Sequence, residues 1–372
     1  MQYSFGLFFA ALTEHFGWSR ASLSAVFSVY AATYSLLGVV TGRLTDRWGA
    51  RPVVAGGALA LGGGLMLAAA VHSLGGLYAA YLLAAVGMST AYVPCTATVA
   101  RAFPVRRGLV SGLALSGASV GMFVCPPVVG WLIDAVKWRH AYAVVGSMLG
   151  LSVAALSLAL GPGRDSGPAR VTLDRVDAEA WRTRDVLRRR AFMALVGVYV
   201  ATWLPVFVPL VHLVAFAEDI GLSRGVGAAA LSVLGAGSLV GRIVLGALSD
   251  RVGRRPVLAL ALVLQAAGFI VLVVTNGPTL LMTAAAVFGL GSGAVVGLLP
   301  AVVADLFGSA HAASLIGVIL AAAALPIALG PWFGGWVFDV SGTYASVFLA
   351  GATVNLVGLG LLLPVRSPRI SN

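Results

Sequence analysis

Apolar runs long enough to cross a bilayer cover most of this chain. They fall at about 21–41, 52–71, 75–100, 108–132, 139–161, 191–216, 224–249, 256–275, 279–304, 312–337 and 343–364, with a shorter run at 1–14. A helix needs about 20 apolar residues to span the hydrocarbon core, and in lipid its backbone must satisfy its own polar groups. The pattern therefore predicts a polytopic all-α membrane protein of twelve transmembrane helices. Composition agrees: hydrophobic residues are 59% of the chain, charged residues 10%, and the mean hydropathy is +0.97. Cys95 and Cys125 both lie inside apolar runs, which argues against a disulfide framework.

A formal net charge of +11 would suggest nucleic acid in a soluble protein, but its distribution gives a different reading. Arg43, Arg47 and Arg51, then Arg101, Arg106 and Arg107, the arginines of 162–190, Arg251, Arg254 and Arg255, and finally Arg366 and Arg369 all fall on alternate loops. The intervening loops hold Arg20, Lys137, Arg139 and Arg224. By the positive-inside rule the arginine-rich side is cytoplasmic, both termini face it, and the expected location is the plasma (inner) membrane. No nucleic acid partner is expected; the lipid bilayer accounts for the basic loops.

The chain also repeats itself. Gly42 to Pro52 reads GRLTDRWGARP, and Gly246 to Pro256 reads GALSDRVGRRP, 204 residues later. Gly17-Trp18-Ser19-Arg20 returns as Gly221-Leu222-Ser223-Arg224 at the same offset, and Gly130-Trp131 with Asp134 returns as Gly335-Trp336 with Asp339 at 205. Such self-similarity predicts two parallel six-helix bundles, 1–161 and 191–372, joined by a polar central cytoplasmic loop at 162–190.

Twelve helices in two parallel halves, with G-x-x-x-D-R-x-G-x-[RK] closing the second helix of each, resemble the major facilitator superfamily along essentially the whole sequence. The resemblance implies two pseudo-symmetric six-helix bundles. It also implies a cytoplasmic gating motif, made here by Gly42, Asp46, Arg47 and Arg51 and by Gly246, Asp250, Arg251, Arg254 and Arg255, whose charges latch neighbouring helices. Residues Phe103 to Gly121, FPVRRGLVSGLALSGASVG, are similar to the signature of the monocarboxylate transporter family: an aromatic, two basic residues and a ladder of small residues. That family's acidic-glycine-tryptophan phrase in the first helix is absent. Mapping the start of the second half back by 204 places the start of the first helix before Met1, so a truncated first helix is expected.

Ionisable groups inside the membrane mark functional sites by default. Arg242 lies two turns before the cytoplasmic end of an otherwise uncharged run, and its planar donor fork suits a carboxylate arriving from solution. His212, in TWLPVFVPLVHLVAFAEDIG, supplies a group that titrates near neutral pH. Bacterial relatives resembling this family pair a histidine and an arginine at this separation; animal relatives have an aspartate where Ser238 stands. The repeat maps Arg242 to Gly38, Ser238 to Tyr34 and His212 to Phe8, so a cationic wall is expected opposite an aromatic one. Tyr92 and Ser116 are further candidate substrate contacts. Prolines and glycines in CPPVVG (125–130) and LPIALGPWFGG (325–335) should kink their helices.

The expected function is secondary active transport of small monocarboxylates by alternating access, as a proton symporter, with a small organic anion and a proton as partners and the monomer as the working form. Two readings compete: an anion exchanger like the oxalate:formate antiporters or a drug exporter of the same superfamily, and a non-transporting membrane receptor on the same fold. No nucleotide loop, metal-ligand spacing or nucleophile elbow appears, so no enzyme activity, cofactor, metal or catalytic residue is expected.

Overall fold

The structure is a computed structural model that describes residues 2–102, 107–159, 189–307 and 312–363. Within these the elements are helical: α1 Phe5–Phe16, α2 Arg20–Trp48, α3 Ala50–Ala69, α4 Leu74–Ala102, α5 Arg107–Ser157, α6 Arg190–Asp219, α7 Arg224–Val240, α8 Gly246–Val252, α9 Arg254–Val273, α10 Pro278–Phe307, α11 Ala312–Ser341 and α12 Ala345–Leu361. A 3-10 turn, Gln2–Ser4, precedes α1, and a π-helical turn, Gly241–Leu245, joins α7 to α8. Among the described residues, eight helices are long and apolar enough to cross a membrane.

The runs expected as separate helices, 108–132 and 139–161, are two helices that abut within the element labelled α5. It is broken at Lys137, whose φ of 66° and ψ of 160° leave the helical region. The run at 224–249 is one span, Arg224–Val252, with the π-turn inside it.

The backbone carries the repeat. Gly17 and Gly221 both have positive φ, 66° and 81°, and so do Gly49 and Gly253, 84° and 95°. Each pair is 204 residues apart. Ser19 Oγ accepts the Ser22 N–H at 3.2 Å, and Ser223 Oγ accepts the Val226 N–H at 3.4 Å. The phrase G-x-S-R therefore has a structural meaning: glycine turns the chain out of one helix where a side chain would be strained, and serine caps the next. In DRWG and DRVG the glycine makes the same kind of turn, between α2 and α3 and between α8 and α9.

The chain divides into two compact units. One comprises residues 25–118 and 131–179. Its helices meet through glycines: a Cβ on Gly64 would come within 2.6 Å of the Ala80 carbonyl oxygen, and one on Gly62 within 2.7 Å of that of Gly146. Only backbone fits there, so the helices approach closely. Tyr81 and Tyr142 share a 2.7 Å hydrogen bond between hydroxyls in this buried region. The other unit comprises 1–24, 119–130 and 180–372. Its core includes Phe192, Tyr199, Leu262, Leu298 and Ile319, each almost wholly buried. Large apolar side chains such as Val340, Leu325 and Ile243 remain exposed, as lipid-facing positions are in a protein whose solvent is hydrocarbon.

Candidate functional site

Arg242 sits on the π-turn. A π-turn widens a helix by one residue and recurs at functional positions. Close packing against α10 accompanies it here. Gly289, Gly293 and Gly297 stand one turn apart on α10 and receive Leu234, Ser238 and Arg242: the first two press against the carbonyls of Leu234 and Ser238, and a Cβ on Gly297 would meet Arg242 Cγ at 3.4 Å. Gly241 lies equally close to the Leu290 carbonyl. Ser238 is buried, one turn before Arg242. The Arg242 side chain is half-buried, its Nε is shielded from solvent, and it interacts electrostatically with Tyr3 of the first turn.

His212 is fully buried on α6, and both ring nitrogens are engaged. Nε2 lies 2.9 Å from the Pro331 carbonyl oxygen and Nδ1 lies 3.0 Å from the Tyr344 hydroxyl. A carbonyl only accepts, so Nε2 carries hydrogen; in the neutral ring Nδ1 then accepts from Tyr344. Phe9 of α1 stands edge-on to the imidazole with centroids 5.0 Å apart. A Cβ on Gly334 of α11 would lie 3.4 Å from the ring, an ordinary contact distance.

The chain of bonds continues outward. Arg20 Nη1 donates to the Tyr344 hydroxyl at 2.8 Å, and its two terminal nitrogens hold both oxygens of Asp219 at 2.6 Å. The guanidinium carbon lies 3.8 Å from the Phe338 ring centroid. Asp339 accepts the backbone N–H groups of Arg20 at 3.0 Å and Ala21 at 2.7 Å, so an acid of α11 caps α2. The repeat partner of Arg20 behaves alike: Arg224 donates to Glu218 at 2.9 Å and to Glu14 at 2.7 Å. Each arginine thus reaches the last turn of a helix from the opposite half of the sequence.

At the other end of the bundle, Arg254 bridges Asp250 of α8 at 2.5 Å and Asp305 of α10 at 3.0 Å, and Arg255 donates to the Leu363 carbonyl at 2.9 Å. Gly246 opens α8, and Arg251 is exposed near its end. In the first copy, Arg47 and Arg51 are exposed, while the surroundings of Gly42 and the side chain of Asp46 lie outside what the structure describes. So do the side chains of Tyr92 and Ser116. Tyr34 is half-buried on α2 with its ring 5.3 Å from that of Tyr30.

Comparison with known proteins decides the family. The model of the Major Facilitator Superfamily matches residues 1–215 and 192–372. The chain belongs to this superfamily. Within it, the chain is 29% identical over 365 residues to rat (Rattus norvegicus) monocarboxylate transporter 13, covering 97% of this chain and 83% of the relative. It is 31% identical over 386 residues to human (Homo sapiens) monocarboxylate transporter 11, covering 98% and 80%. Among solved structures, the nucleoside transporter NupG, as a D323A mutant, superposes with a TM-score of 0.78 at 14% identity, covering 98% of this chain and 95% of that one, which establishes the shared fold. This member of the major facilitator superfamily is therefore an integral membrane transporter related to monocarboxylate transporters, not an enzyme.

Three contributors escaped the sequence reading. Tyr344 stands just before α12, at its N-cap, where no periodicity marks it; Arg20 falls among the loop charges; Tyr3 lies in a short turn. The repeated G-x-S-R phrase was the available signal for Arg20.

Proposed function

We propose that this protein is a secondary active transporter of small monocarboxylates, working as a monomer by proton symport and alternating access in the plasma (inner) membrane with both termini cytoplasmic. The observation that carries the reading is Arg242: a permanently charged, two-pronged donor on a π-turn within an apolar helix, its Nε buried. A carboxylate is the complementary ligand for that fork. The names of the similar proteins, monocarboxylate transporters 11 and 13, favour the same substrate class. Ser238 would line the site one turn away, with Tyr34, Tyr92 and Ser116 contributing from the first bundle. The bundles are taken as 1–161 and 191–372 with 162–190 as the cytoplasmic loop, and the two charged motifs as its gate; the Asp250–Arg254–Asp305 contacts suit that role.

His212 carries the proton in this scheme. Protonation adds a second positive charge to the site, which attracts the anion, and the loaded site is closer to neutral for the rocking step.

Proteoliposome flux tests both roles. Arg242→Lys keeps charge but loses the fork, so uptake should collapse while membrane insertion persists; normal uptake would remove Arg242 from the site. His212→Gln should preserve counterflow yet lose accumulation driven by a pH gradient. If wild-type flux ignores the pH gradient altogether, the protein is an anion exchanger; if a monocarboxylate binds with no flux, it is a receptor.

A further inference from the structure

The hydrogen bonds around His212 have a fixed direction. Asp219 can only accept from Arg20, and Arg20 can only donate to Tyr344. The phenol therefore spends one lone pair on arginine and its hydrogen on Nδ1 of His212, whose Nε2 hydrogen goes to Pro331. This closed arrangement is complete when the histidine is neutral.

A proton added to His212 goes to Nδ1, because Nε2 already bears hydrogen. Tyr344 then has to accept from both sides, and two cations face one phenolic oxygen, at 2.8 Å from Arg20 Nη1 and 3.0 Å from His212 Nδ1. The other elements offer little relief. From α1 comes the Phe9 ring, with Glu14 at the helix end bound by Arg224; from α11 come the Pro331 carbonyl and Asp339, which is taken by the N–H groups of Arg20 and Ala21. On α6 itself Asp219 is gripped by Arg20 and Glu218 by Arg224. The arginine cannot withdraw without releasing Asp219.

We propose that Arg20 is a coupling residue: acting through Tyr344, it makes a protonated His212 incompatible with the closed Arg20–Asp219 contact unless an anion has entered the site. The inference rests on the reading of His212 as proton carrier. Linkage makes the exclusion reciprocal, since whatever holds the contact closed disfavours the proton and the proton favours opening. An empty carrier with neutral His212 closes and returns. One carrying only a proton stays open. A carrier holding proton and carboxylate closes again because the anion supplies the missing negative charge. Arg20 thereby suppresses proton entry without substrate.

The test uses proteoliposomes with an internal pH dye, acidified outside with and without lactate. Wild type should admit protons only with lactate. Arg20→Gln removes the charge, so substrate-free proton entry should rise about tenfold, within the usual range of coupling strengths, while lactate counterflow continues. Arg20→Lys restores the charge and should restore tightness. A tight Arg20→Gln with counterflow intact, or an Arg20→Lys that leaks equally, overturns the proposal.

Wild-type protein gives a second reading that needs no variant and no known substrate. Amide exchange at Arg20 and Ala21, whose N–H groups bind Asp339, should accelerate on acidification beyond the intrinsic pH effect; unchanged protection overturns the coupling. Wild-type lactate uptake that ignores a pH gradient defeats the symport reading itself. Uptake that follows the gradient in a liposome where Arg20→Gln stays tight defeats only the role of Arg20.

Discussion

Lys137 adopts a left-handed backbone, φ 66°, at the position where the second half of the sequence has Gly342, φ 70°, 205 residues later. Gly130 and Gly335, and Asp134 and Asp339, are related by the same offset. A turn that the second half makes with glycine is made in the first by a residue with a Cβ. With ψ at 160°, Lys137 occupies a region reserved almost wholly for glycine.

Lys137→Gly should therefore stabilise the protein by about 1 kcal/mol. Gly342→Lys should destabilise it. Thermal unfolding of both variants in detergent checks the pair, and a lower Tm for Lys137→Gly would refute the strain argument.

Adjacent glycines on α11 should respond differently to alanine. A Cβ on Gly335 would stand 2.5 Å from Ser24 Oγ and 2.6 Å from the Arg20 carbonyl oxygen, whereas one on Gly334 meets nothing closer than 3.4 Å. Backbone cannot give way as a side-chain tip can, so Gly335→Ala is expected to cost about 1–3 kcal/mol. Gly334→Ala should leave Tm nearly unchanged. Equal losses would mean that α2 and α11 are not in this contact.

The Arg254 contacts are partly exposed, with side-chain exposures of 26% for Arg254, 63% for Asp250 and 52% for Asp305. Arg254→Gln should therefore cost under about 1 kcal/mol, and less still at high salt. If the cluster is the proposed gate, the larger effect of the substitution should be on turnover, because a gate contact is made in one conformation and broken in another. Initial uptake rates beside melting curves separate the two; a large Tm loss with normal turnover would make the cluster structural.

The Arg224 bonds rank the acids it holds. Glu14 is 73% exposed and Glu218 is 32% exposed, so Glu218→Gln should lower Tm more than Glu14→Gln. Arg224→Gln should make both acid substitutions nearly silent, since they share one partner. Additive losses in the double variants would show that the carboxylates are anchored elsewhere.

Much of this architecture was legible in the sequence because a bilayer permits few solutions. The apolar runs had to be helices, and a charged phrase returning after 204 residues had to close equivalent helices. Arg242 was visible because a charge in an apolar run has few idle explanations. The His212 network was not. Its members come from residues 20, 219, 331 and 344, and the helix ends that gather them are set by glycine contacts such as Gly335 against Arg20, which no local pattern encodes. The π-turn under Arg242 was equally hidden, since π and α turns share the same apolar composition.

The reciprocal arginines carry a consequence for ancestry. Arg20 takes Asp219 while Arg224 takes Glu14 and Glu218, and Glu14 and Glu218 are themselves 204 residues apart. The two contacts are near repeats and not exact ones, because the counterpart of Asp219 at that offset is His15, so Arg20 takes an acid one position later than the counterpart of Glu14. A half that keeps its arginine in place while its acid shifts by one residue holds on to the pairing of the helix ends without needing an identical partner on both sides.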